Sequence, residues 1–152
     1  MKEITVQIND ERITGLVKSS TTLLQFLRDK GFTEVKKGCG EGECGACTVL
    51  LNGKAVTSCL VLAVQADGSE VVTVKKKDDQ LLETLKEAFV KHEALQCGFC
   101  TPGIIMTARW LLSENPKPNR EEIRDALSGN LCRCTGYLKI IDAIEYVTRA
   151  ER

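Results

Sequence analysis

This 152-residue chain has no long apolar stretch: its longest aliphatic run is Leu60-Val61-Leu62-Ala63-Val64. A bilayer-spanning helix needs about 20 such residues, so no membrane span is expected. Net charge is also missing, with 21 Lys and Arg against 21 Asp and Glu and a pI near 6.6. Such a balance offers no field for nucleic acid or for an anionic membrane surface. Aromatic residues make up only 5% and there is one histidine, His92. No Ser–His–Asp set, phosphate loop or acid–base pair of carboxylates stands in a recognisable frame. The chain is therefore expected to carry no bond-making residues of its own. The start, Met1-Lys2-Glu3-Ile4, enters an alternating pattern directly rather than a secretory signal, which predicts a soluble protein of the reducing cytoplasm.

Cysteine is what the chain does have: eight, in two groups of four. The first group is Cys39-x4-Cys44-x2-Cys47 followed by Cys59; the second is Cys97-x2-Cys100 followed by Cys132-x-Cys134. Four thiolates are the ligand count of a 2Fe–2S cluster, and the first spacing is that of plant-type ferredoxins. Disulfides fit poorly, because Cys132 and Cys134 stand too close in sequence for unstrained bridge geometry. Structural zinc stays open on these residues alone, since it also uses four-cysteine sites built from C-x2-C pairs. Against zinc, the first three cysteines share one continuous loop, which suits a flat two-iron core. A Rieske centre needs two histidines, so His92 is expected at the surface near a helix end.

Glycine follows the cysteines. Gly38, Gly40, Gly42 and Gly45 lie in the first loop, and Gly98, Gly103, Gly129 and Gly136 in or beside the second group, out of 12 in all. Glycine lets backbone N–H groups turn inward around an anion, as a thiolate-bound cluster requires.

The pattern predicts an α+β fold in two domains, 1–76 and 77–152. Ile4, Val6 and Ile8 alternate with polar residues as in a half-buried strand, and Asn9-Asp10 turns into a second, Arg12 to Val17. Ser20-Thr21-Thr22 offers caps for a short helix carrying Leu23, Leu24, Phe26 and Leu27 and stopped by Gly31. Asn52-Gly53 between two apolar runs is a hairpin signal, and Val71 to Val74 adds a last strand, giving a β-grasp arrangement. Lys75-Lys76-Lys77-Asp78-Asp79 reads as an exposed linker. Beyond it come helices with Leu81, Leu82, Leu85, Ala88 and Phe89 at helical spacing; from Thr101-Pro102 to about Ser113; after a capping box at Asn119–Glu122; and from about Tyr137 to Arg149. Four such helices predict a four-helix bundle with the second cysteine group at helix ends. Trp110, one turn after Met106, is expected in its core.

Three segments resemble the molybdenum hydroxylases, the family of xanthine dehydrogenase, aldehyde oxidoreductase and aerobic carbon monoxide dehydrogenase. They are Lys37 to Val49 (KGCGEGECGACTV), Ala94 to Gly103 (ALQCGFCTPG) and Gly129 to Tyr137 (GNLCRCTGY). The resemblance covers nearly the whole chain. It implies an electron-transfer subunit with two 2Fe–2S clusters, held by Cys39, Cys44, Cys47 and Cys59 and by Cys97, Cys100, Cys132 and Cys134. It implies a large partner carrying molybdopterin, a medium partner carrying FAD, and a dimer of such heterotrimers. Gln96 would hydrogen-bond the pterin, and Cys134 would be the ligand nearest to it. Two departures stand out: Lys75 to Asp79 replaces an acidic, glycine-containing sequence, and Leu138 stands where many relatives carry glutamine. The rival reading is a free two-cluster ferredoxin. Diffusible carriers of that kind are strongly acidic for electrostatic steering, whereas equal charges favour permanent docking.

Overall fold

The computed structural model describes residues 1–150, so the last two positions of the expected 77–152 domain lie outside the described residues. Strands β1 (Lys2–Ile8) and β2 (Glu11–Val17) pair antiparallel across Asn9 and Asp10, both at positive φ. Asn and Asp are the side-chain-bearing residues that best tolerate that conformation. Helix α1 (Leu23–Asp29) starts at Thr22, whose Oγ1 accepts the Gln25 N–H at 3.1 Å, and ends just before Gly31. Strands β3 (Thr48–Leu51) and β4 (Lys54–Thr57) close over Asn52-Gly53, both at the positive φ this turn demands. Strand β5 (Glu70–Val72) completes a sheet ordered β2-β1-β5-β3-β4, in which only β1 and β5 run parallel.

The last strand is shorter than its apolar pattern predicts. Thr73 leaves the ladder because its N–H goes to Asn9 Oδ1 (2.9 Å) and its hydroxyl to the buried Glu34 carboxylate (2.7 Å). Val74 then packs on the helical side. The charged stretch after it is largely exposed but tied down. Lys76 pairs with Asp10, Lys75 lies 3.6 Å from Glu34, and Asp79 caps the next helix while meeting the Arg109 guanidinium at 3.0 Å.

Four helices follow: α2 (Gln80–Lys91), α3 (Thr101–Glu114), α4 (Arg120–Leu127) and α5 (Leu138–Ala150). α2 packs on α3 and α5, and α4 packs on α3 and α5. Leu82, Leu85, Phe89, Ile104, Met106, Ile123, Ile140 and Ile144 fill the space between them, with Trp110 half-buried against this core. The Asn119–Glu122 capping box forms as expected. The cap of α3 falls one residue early, on Cys100, with Thr101 first in the helix and Pro102 second. His92 is not a free surface residue. It ends α2 half-buried, its ring 4.9 Å from that of Tyr146 and its Nε2 shielded from solvent.

Alternation along β3 joins the two halves. Val49 belongs to the core shared with α1, while Leu50, on the opposite face, belongs to the helical core. α3 lies across β3 and β4, which brings the first cysteine loop against the start of α3 and the segment after α4. Among the described residues no helix is long and apolar enough to cross a membrane.

Candidate metal centres

Each cysteine group gathers in space, and within each group the thiols stand in pairs. In the first, Cys39 and Cys44 exchange contacts: the N–H of each points at the other's sulfur at 3.4 Å. Cys47 and Cys59 lie buried side by side, and Cys59 is close enough to Cys39 to feel its charge. In the second, Cys100 contacts Cys132 and Cys97 contacts Cys134. Two pairs per site fit a two-iron core, in which four thiolates serve two metals.

The surroundings of the sulfurs fit a cluster that is anionic once its four thiolates are counted. Glu41 and Glu43 N–H groups point at Cys39 Sγ at 3.3 Å, and Ala46 N–H points at Cys44 Sγ at 3.5 Å. The backbone donors of Glu41, Cys44 and Glu43 draw the Cys39 pKa down to about 7. Burial pushes the Cys59 thiol up to about 11, with Cys47 adding to the rise. Burial likewise pushes Cys100 up to about 12, helped by Cys132. At Cys132 burial works upward, but the Thr135 hydroxyl and N–H, with the Cys134 N–H and the Cys100 thiol, hold the thiol below its usual range. Cys134 is raised chiefly by Cys97. Thiols packed this closely resist ionising together. A cationic metal core among them removes that resistance, so the donor set fits the group its spacing implies.

The glycines serve this packing directly. A Cβ on Gly42, at φ 80°, would overlap the Leu60 side chain that covers the loop. The second site is more open: Gln96, Cys97 and Cys134 are exposed, and Gln96 Nε2 donates to the Cys134 carbonyl at 3.2 Å. That bond ties together the two segments bearing the second group. Leu95, Phe99, Leu131 and Leu138 are all exposed, each within four positions of a cysteine of this group.

Three further residues serve the second group without being singled out by the sequence reading. Thr135 donates from its hydroxyl to Cys132 Sγ at 3.1 Å. The Tyr137 hydroxyl accepts the Cys132 N–H at 2.8 Å and donates to the Asn130 carbonyl at 2.9 Å. Asn130 reaches across to the first loop. Their only sequence signal was membership of the Gly129–Tyr137 segment.

Residues 6–70 match the 2Fe-2S iron-sulfur cluster binding domain family, and residues 71–145 match the [2Fe-2S] binding domain family. The nicotine 6-hydroxylase small subunit of Paenarthrobacter nicotinovorans is 52% identical over 93% of this chain and 87% of its own length. The nicotinate dehydrogenase small FeS subunit of Eubacterium barkeri is 50% identical, over 96% of each chain. In the crystal structure of quinoline 2-oxidoreductase from Pseudomonas putida 86, one chain superposes with a TM-score of 0.92 at 47% identity, over 99% of this chain and 94% of that one. With two 2Fe–2S-binding domains in this order and relatives matching along almost their full length, the chain belongs to the small iron–sulfur subunits of the molybdenum hydroxylases, the xanthine dehydrogenase and aldehyde oxidoreductase family.

Proposed function

We propose that this chain conducts single electrons from a molybdopterin centre on a large partner subunit towards FAD on a medium one, in the cytoplasm, within a dimer of heterotrimers. Cys39, Cys44, Cys47 and Cys59 would hold one cluster in a domain spanning 1–76. Cys97, Cys100, Cys132 and Cys134 would hold the other in a four-helix bundle spanning 77–152. When bound, each cluster supplies reversible one-electron chemistry, and the chain's residues tune and place it. Backbone N–H groups around Cys39 and Cys44, and the Thr135 hydroxyl at Cys132, favour the more negative state by donating to sulfur. Burial of Cys47 and Cys59 would keep water from their side of a cluster held there.

The observation that carries this reading is the exposure of four large apolar side chains, Leu95, Phe99, Leu131 and Leu138, each within four positions of a second-group cysteine, in segments where Gln96 and Cys134 are exposed too. A free carrier has no reason to expose such a surface, whereas a permanent partner would cover it. Gln96 has its Nε2 engaged with Cys134, and its carbonyl oxygen would meet a pterin N–H at the junction. Purification of the tagged chain from its native host, with metal analysis, tests the reading. About four irons and one molybdenum per chain, with two larger proteins co-eluting, are expected. In the same complex Gln96→Ala should leave iron intact and slow reduction by substrate. Four irons without molybdenum or partner would leave a free ferredoxin.

A further inference from the structure

The two cysteine sites touch through one small set of backbone and amide groups. The Leu131 N–H, adjacent to Cys132, donates to the Cys44 carbonyl at 2.9 Å. One hydrogen bond therefore separates a residue of the first site from the neighbour of a residue of the second. Asn130 stands beside it, only 4% exposed, with every polar group engaged. Its Nδ2 donates to the Gly45 carbonyl at 3.2 Å, and its Oδ1 accepts from the buried Thr107 hydroxyl at 2.9 Å. Its N–H goes to the Leu127 carbonyl at 2.9 Å, and its own carbonyl receives the Tyr137 hydroxyl. The approach is as close as a backbone permits. A Cβ on Gly45 would lie 2.3 Å from the Gly129 carbonyl, and one on Gly103 would lie 2.3 Å from the Gly45 carbonyl.

We propose that Asn130 is a positioning residue for electron transfer between the two sites: it clamps the Cys44–Gly45 turn of the first to the Leu131–Cys132 segment of the second and so fixes their contact. This rests on the two-cluster reading above. One electron leaving the reduced second site oxidises one iron there and reduces one iron at the first, with no bond or proton exchanged. Besides the potentials, separation and contact are what the protein sets, and a buried asparagine held from both sides is suited to setting them. Asn130 touches no sulfur, so its effect would come through the loops it joins.

The test uses the full chain carrying both clusters, reduced with dithionite, and three variants. Two reduced clusters in close contact split each other's low-temperature electron paramagnetic resonance signals, which reports their mutual placement. Asn130→Asp sets a carboxylate against the Gly45 carbonyl and is expected to narrow that splitting. The Leu131 amide should also exchange with solvent about tenfold faster, as loss of one buried hydrogen bond implies. Thr107→Val, which frees the amide from one side only, should give a smaller change in both. Leu16→Ala, on the exposed edge strand, should change neither. Asn130→Asp with full iron and wild-type splitting and protection would overturn the proposal. Should Asn130→Asp not retain iron, Thr107→Val decides, and unchanged splitting and protection in it overturn the proposal equally. A wild-type chain lacking two such signals would overturn the cluster reading itself, and this inference with it.

Discussion

Thr135 shows what a single side-chain hydroxyl adds at a cysteine sulfur also met by backbone N–H groups. Its hydroxyl lies 3.1 Å and its N–H 3.5 Å from Cys132 Sγ, and with the Cys134 N–H and the Cys100 thiol they hold that thiol below its usual range despite burial. A donor to sulfur stabilises the reduced, more negative state of a cluster over the oxidised one, so it raises the reduction potential. Removing the hydroxyl should therefore lower it. Thr135→Ala is expected to drop the potential of the second cluster by about 20–60 mV, the one-electron equivalent of roughly one kcal/mol from one charge-assisted hydrogen bond. Thr135→Ser should restore it. Potentiometric titration followed by electron paramagnetic resonance reads both clusters at once. The first, which Thr135 does not touch, should stay within error of wild type.

At the scale of elements, what could be read in advance was whatever local chemistry decides. The Asn52-Gly53 hairpin, the Thr22 cap and the Asn119–Glu122 box need only neighbours within a few positions, and each forms as its residues dictate. Where sequence reading fell short, the partner lies far along the chain. Thr73 ends β5 early for Glu34, 39 positions away, and Asn9, 64 away. The eight cysteines were legible because spacing alone reveals them. Asn130 was not, because its amide meets Gly45 at a separation of 85. Asp79 illustrates the same division. A linker residue by composition, it accepts the Leu82 N–H at 3.0 Å as the cap of α2 and pairs with Arg109 on α3, both groups being mostly buried. Asp79→Ala removes cap and ion pair together, about 2 kcal/mol, which should lower Tm by about 4–8 °C in a chain of this size. Asp79→Asn keeps a capping oxygen and loses only the charge, so its Tm should fall by about half as much. Equal losses would mean that the cap contributes nothing.

For the whole molecule, balanced charge and the position of its exposed apolar side chains bear on the same question. Leu60 and Leu62 closely follow Cys59, while Leu95, Phe99, Leu131 and Leu138 lie within four positions of second-group cysteines, so apolar side chains are exposed in the segments that carry both groups. With 21 charges of each sign there is no global field to hold a partner. Association should then come from buried apolar area, which salt does not screen. The complex is expected to survive about 1 M salt, where the Debye length falls to roughly 3 Å and contacts held by exposed charge dissociate. Leu138 offers the complementary test. It is 60% exposed and opens α5, where an acidic residue suits the helix dipole, so Leu138→Asp should leave folding and iron content unchanged. In size-exclusion chromatography Leu138→Asp should release the chain from its large partner at ordinary salt, while the wild-type complex elutes intact at high salt. A wild-type complex that falls apart at high salt and a Leu138→Asp complex that holds would assign docking to local charge pairs and leave the exposed apolar side chains without a role.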